Sequence, residues 1–155
     1  MNVYRWLGGL VALLVMVLIF CLSAQPAVES RNLSGPLVVR VKERIEASKL
    51  MPKEMKEAFL RSPSFWVRKM AHVGIYFILG FIVYLALPSC KWRKGKSFFL
   101  ATGICLVYAL GDEWHQLFVA GRSGELRDVI LDTSGALGGV LVGWLIKKMA
   151  GFKTQ

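Results

Sequence analysis

The chain is poor in acids, histidine and cysteine, and each shortage narrows what it can be. Ten Asp and Glu stand against 20 Lys and Arg, for a formal charge of +10. Such an excess invites a nucleic-acid partner, but no RNA- or DNA-binding motif is present, and none is expected. Three cysteines are too few for a disulfide framework. Cys21 and Cys105 fall in apolar runs and Cys90 in a basic loop, so all three read as free thiols. There is no nucleophile motif, Walker loop or H-x-x-E-H pattern, and there are no internal repeats or low-complexity tracts.

What is abundant is apolar. Of 155 residues, 55% are hydrophobic, and the mean hydropathy is +0.49, above the usual share for a soluble domain. Several runs approach the ~20 residues a helix needs to cross the hydrocarbon core. The expectation is a single all-α membrane domain over residues 1–155 with about four transmembrane helices, near 6–24, 65–87, 97–119 and 127–146. The first run also suits a signal peptide. However, Leu22-Ser23-Ala24 lacks the small residue a cleavage site wants at −3, so it reads as a retained helix.

Residues 25–64 form the polar stretch between the first two runs. Ser34-Gly35-Pro36 reads as a helix start. After it, Leu37, Val38, Val41 and Ile45 share one face opposite Arg40, Glu43, Arg44 and Glu46. Met51, Met55, Ala58 and Phe59 repeat the pattern after Pro52. Two short amphipathic helices, lying on the membrane surface or lidding the domain, are expected. Ser64 is the expected cap of the second span.

Orientation follows from basic residues in short loops. Lys91, Arg93, Lys94 and Lys96 lie between spans two and three, and Lys147, Lys148 and Lys153 close the chain. Both termini are therefore expected in the cytoplasm, with the polar segment and the Val119–Leu126 turn outside. Every out-of-place polar residue then falls at the outer side. Ser23 and Gln25 end the first span, and Lys69, His72 and Tyr76 open the second. Asp112, Glu113 and Gln116 end the third, and Asp128 and Asp132 open the fourth. At ~1.5 Å per residue, Asp112 and Asp132 sit roughly one to two turns below the boundary. Ionisable groups there cost at least ~2.5–3.5 kcal/mol on insertion scales, so their convergence marks a functional-site candidate.

Helical spacing sharpens the cluster. Lys69, His72, Tyr76 and Gly80 fall on one stripe. Asp128, Asp132, Gly135, Gly139 and Gly143 share one face of the last span, where small residues admit a neighbouring helix. Asp112 is expected beside His115 and Gln116, and Glu113 to pair with Gln116.

The stretches FCLSAQP, RKMAHVGIYFILG, DEWHQLFVAGR and DVILDTSGALGG, in this order, resemble the VanZ-like family of small bacterial membrane proteins over nearly the whole chain. The resemblance implies a plasma-membrane protein of four or five spans with a link to glycopeptide (teicoplanin) resistance. It brings no settled catalytic chemistry. The matching motif positions are Ser23, Gln25, Lys69, His72, Tyr76, Asp112, Glu113, Gln116, Arg122, Asp128, Asp132 and Gly135. Asp132 departs from the pattern by standing where the family usually has Asn.

Asp112, Glu113, His72 and Asp132 are thus the candidate catalytic groups. Lys69, Tyr76, Gln116, Arg122, Asp128, Ser23 and Gln25 are the candidate substrate-binding groups. Lys69, Arg122 and Arg127 could hold a phosphate. His72 or His115 with carboxylates would make a chemically reasonable metal set, but the spacing matches no signature, and no metal or cofactor is assigned. The readings that stay open are an enzyme on a lipid-linked envelope precursor, a binder of membrane lipid, antibiotic or protein, and a helix bundle whose charges form a structural ion-pair network. A transporter fits poorly, because the inner halves of the spans are apolar.

Overall fold

The computed structural model describes residues 3–87, 94–149 and 151. Cys90, Lys91, Arg93 and Lys153 lie outside them, as does the side chain of Lys94. Within them the chain forms six helices: α1 (Val3–Ser23), α2 (Ala27–Ala47), α3 (Lys53–Arg61), α4 (Pro63–Ala86), α5 (Lys94–Gln116) and α6 (Leu126–Met149). Among the described residues there is no strand.

The burial pattern is inverted relative to a water-soluble bundle. Ser23, Asp112, Glu113, Gln116 and Asp132 are buried, whereas Leu14, Phe99 and Val107 are 59%, 75% and 70% exposed. Three helices are long and apolar enough to cross a membrane: Trp6–Ser23, Pro63–Ala86 and Leu126–Met149, with mean hydropathies of 2.6, 1.7 and 1.7. α5 has 23 residues, but with Lys94, Lys96, Asp112 and Glu113 in it, it falls short of that combined test.

The closest helix pair is α4 and α6. They run parallel, with Gly135 against Val73, Gly139 against Phe77 and Gly143 against Tyr84. A Cβ at Gly139 would overlap the Phe77 carbonyl, and one at Gly80 the Ala136 carbonyl. The two backbones touch because these positions have no side chain. α1 lies antiparallel on α4, with Gly8 against Ala86. α5 packs on α6 and α4 and is tied to α1 by the Tyr108 hydroxyl, which donates to the Met16 carbonyl at 2.5 Å. Ile19, Tyr76, Leu79, Cys105, Ala109, Ala136 and Val140 fill the centre. At one end Lys147 donates to the carbonyls of Tyr84, Leu85 and Leu87 at 3.0–3.2 Å, capping the C-terminus of α4. The opposite end gathers the C-termini of α1 and α5 with the N-termini of α4 and α6.

Several boundaries differ from the expected ones. α2 begins at Ala27, not at Ser34, and carries Pro36 inside it. The start is set by Pro26, whose carbonyl accepts the Ser30 N–H at 3.0 Å. Ser34 does not cap; its hydroxyl donates to the Arg31 carbonyl at 3.1 Å. Pro36 costs one backbone donor within a helix already nucleated before it. The residue before α4 is Ser62 rather than Ser64, because Pro63 takes the first helical position. α5 ends at Gln116, and residues 117–119 form turns instead of a last helical turn. On α2, Val38, Val41 and Ile45 are half-buried while Leu37 is exposed. α3 buries no residue. It is held by the Trp66 indole N–H donating to the Ala58 carbonyl and by Lys56 donating to the Glu46 carbonyl, both at 3.3 Å.

Gly139→Ala is expected to destabilise the fold by ~1–3 kcal/mol through overpacking against backbone. Gly74→Ala, with nothing within 4 Å of the new atom, is expected to be neutral. Thermal unfolding of the two detergent-purified variants against the parent measures the difference.

Candidate functional site

The polar end of the bundle is assembled from four helices and one loop. The stripe on α4 turns Lys69 and His72 towards α6, which answers with Asp128 and Asp132, while the Tyr76 ring lies 6.2 Å from that of Tyr108 on α5. Lys69 and Asp128 form an ion pair, and the Lys69 ammonium also lies 5.1 Å from the centre of the Phe65 ring. One turn deeper, His72 Nδ1 meets Asp132 Oδ2 at 3.4 Å. His72 is partly exposed, and Asp132 is buried.

Asp112 enters this pair from α5. Its Oδ2 accepts hydrogen bonds from the Ser23 hydroxyl at 2.9 Å and the Gln116 amide at 3.2 Å. Its Oδ1 is buried with no partner. His72, Asp112 and Asp132 each present a ligand-capable atom, all within 4.8 Å of one another. Tyr76 is wholly buried, its hydroxyl has no partner, and it lies within electrostatic reach of both aspartates.

Arg122 closes the end. Nε donates to the Gln25 carbonyl at 3.0 Å, Nη1 to Gln116 Oε1 at 3.3 Å and Nη2 to the Leu22 carbonyl at 3.1 Å. The loop that carries it turns at Gly121, whose φ of 73° belongs to the left-handed region, and the Arg122 N–H closes that turn on the Val119 carbonyl at 3.1 Å. The Ala27 N–H reaches the Ala120 carbonyl at 3.2 Å. Burial, reinforced by neighbouring Arg68, pulls the Arg122 guanidinium below its ordinary pKa; an arginine nonetheless keeps its charge.

Not every expected partnership forms. Gln116 bonds Asp112 rather than Glu113, whose carboxylate is engaged elsewhere. Glu113 Oε1 instead accepts the Glu125 backbone N–H at 2.6 Å, fastening the loop before α6. Gln25 contributes its main-chain carbonyl rather than its amide. His115 stands apart from the aspartates' histidine, its ring 4.5 Å from that of Phe20 and its Nδ1 buried without a partner. Arg127 is exposed and does not line the cleft.

The polar cleft, of about 170 Å³, is lined by Arg68, Lys69, His72, Arg122, Asp128 and Asp132 among others. Beside it runs a groove of about 300 Å³ between α1, α2 and α4, lined by Ile19, Leu22, Leu33, Leu37, Val67 and Ile75. Arg68, His72 and Arg122 border both. Arg68 went unnoticed in the sequence, where only its place beside Lys69 hinted at it. A further, mostly apolar cleft of about 720 Å³ between α1 and α5 ends at Asp112 and His115; its lining offers no polar pattern to read.

Arg122→Lys keeps the charge and loses the three-way fork. Losing these charge-assisted bonds is expected to cost about 1.5–3 kcal/mol, measured as a lower unfolding temperature and faster proteolysis within residues 117–125.

Comparison with known proteins returns one family. The family model described as VanZ/LLP1 matches residues 9–147. No curated protein and no solved structure gives a significant match. With nearly its whole length matched, the chain belongs to the VanZ/LLP1 family.

Proposed function

We propose that the protein binds a phosphate-bearing, lipid-linked component of the cell envelope at the outer leaflet of the bacterial plasma membrane. In this reading α5 also crosses, which makes four spans, and both termini are cytoplasmic. The antiparallel run of α1 on α4, and of α5 against α6, supports that layout. The link to glycopeptide (teicoplanin) resistance enters through the family resemblance and fits a protein that changes how an envelope lipid is displayed or processed.

The observation that carries the proposal is the junction of a polar cleft with an apolar groove. A lipid-linked phosphate has the same two-part chemistry, a charged head joined to a hydrocarbon chain. Arg68 borders both spaces, and among the described residues it makes no hydrogen bond or ion pair inside the fold. A guanidinium there, unpaired among the described residues, is suited to bidentate contact with phosphate. Lys69 and Arg122 would flank it.

A structural ion-pair network is the competing reading, and the Lys69–Asp128 pair favours it at the rim. It accounts less well for the interior, where Arg122 is committed to carbonyls rather than to Asp112 or Asp132.

Lipids co-purifying with the parent and with Arg68→Gln, identified by mass spectrometry, separate the two. Binding predicts a phosphate-bearing lipid enriched over the bulk membrane and reduced about tenfold in the variant, as loss of one charge-assisted contact implies. Parent and variant profiles that both match the bulk membrane leave the network reading standing. Turnover of that lipid to a species of new mass would make the site catalytic. Orientation is tested by Ser123→Cys in a background without other cysteines. An impermeant thiol reagent is expected to label it on intact cells, and labelling only from the cytoplasmic side overturns the outer-leaflet placement.

A further inference from the structure

His72, Asp112 and Asp132 leave an electrostatic deficit that the rest of the fold does not fill. Asp112 and Asp132 are 4% and 3% exposed, and their carboxylates face the same histidine. Buried carboxylates are stable only when paired or coordinated. Yet Lys69 pairs with Asp128, and Arg122 is bonded to two carbonyls and an amide oxygen. Among the described residues, Asp132 receives only the long His72 contact. Asp112 receives two neutral donors on one oxygen, while the other has none.

A second observation, outside the triad, points the same way. Tyr76 is fully buried with an unpartnered hydroxyl within electrostatic reach of both aspartates. The partnerless Asp112 Oδ1 within the triad and the partnerless Tyr76 hydroxyl near its two aspartates are thus both left unsatisfied among the described residues. In a well-packed interior such groups are normally satisfied, and a group without a partner calls for an ion or water.

The geometry points to a divalent first-row cation, Zn²⁺ or Mn²⁺, held by His72, Asp112 and Asp132. One imidazole nitrogen and two carboxylate oxygens suit these ions better than the all-oxygen shells of Ca²⁺ or Mg²⁺. Ligand atoms ~2.1 Å from a tetrahedral ion lie about 3.4 Å apart, the separation found between His72 Nδ1 and Asp132 Oδ2. The whole set spans up to 4.8 Å, so one carboxylate must swing inward by up to about 1.4 Å to complete a tetrahedral face. The Ser23 hydroxyl and Gln116 amide already fix the Asp112 carboxylate from behind, as outer-shell partners of metal ligands do. With three protein ligands the ion keeps an open position, and His72 faces the cleft. The site does not depend on which lipid, if any, the cleft takes.

Full-length protein in nanodiscs, stripped with chelator and titrated with Zn²⁺ or Mn²⁺, tests this directly. Bound metal after gel filtration is expected to saturate at about one ion per chain, with a rise in unfolding temperature. Asp132→Asn, Asp112→Asn and His72→Gln should each weaken binding ~10-fold or more, and Ser23→Ala about tenfold. His115→Gln, which removes the other histidine, should leave it unchanged. Failure of the folded parent to bind either ion overturns the site without recourse to any variant. So does binding that survives Asp112→Asn with Asp132→Asn, or that vanishes in His115→Gln.

Discussion

The parallel seam between α4 and α6 sets the position of everything polar in this protein. Its distance is fixed by backbone meeting backbone, at Gly80 with Ala136, Gly135 with Val73 and Gly139 with Phe77. Side chains cannot tune such an approach, so the register is rigid. His72 lies two turns before Gly80, and Asp132 one turn before Gly135, so both project from the same seam near its open end. A wider spacing would pull the imidazole from the carboxylate and open the cluster to lipid. Apolar packing cannot substitute for the seam, since lipid tails solvate Leu and Val as well as a protein does.

The remaining groups are brought in by Arg122. Its fork ties the loop before α6 to Leu22 in the last turn of α1, to Gln25 just beyond it, and to Gln116 at the end of α5. Gln116 and Ser23 in turn hold Asp112. A single guanidinium thereby links three segments that share few direct contacts. It can do so because carbonyls at helix ends lack intrahelical partners and accept readily. Lysine, a point charge with no planar fork, would not serve all three.

Much of this was legible in the residue spacing. Lys69, His72, Tyr76 and Gly80 on one stripe, and Asp132, Gly135, Gly139 and Gly143 on another, fix which faces meet, because helical periodicity is independent of tertiary context. The start of α2 was not, since Ser34-Gly35-Pro36 satisfies the local rules for a helix start and only tertiary docking at Ala27 shows that the helix is already under way. The pairing of Gln116 with Asp112 instead of Glu113, the use of Gln25 through its carbonyl, and the placing of Arg68 between two cavities depend on side-chain direction, which spacing does not encode. Three potential ligands on three different helices likewise have no sequence signature, unlike a motif carried on one turn.

The helix dipoles explain why the acids are not equivalent. α4 and α6 both present their N-termini to the polar end, and Asp128 in the first turn of α6 gains from that partial positive charge and from Lys69. Dipole stabilisation fades within a turn, so Asp132 gains little. Asp112 lies in the last turns of α5, where the dipole opposes a negative charge. At the other end the same polarity is satisfied, with Lys147 on the carbonyls closing α4 and Lys148 near the end of α6. The chain thus compensates its charges at both extremes and leaves them uncompensated one turn inside the polar end, at Asp112 and Asp132. A bundle built only for stability would gain by replacing both with apolar residues. That two buried acids stand there instead, facing one histidine, is the local feature on which the proposed cation site rests.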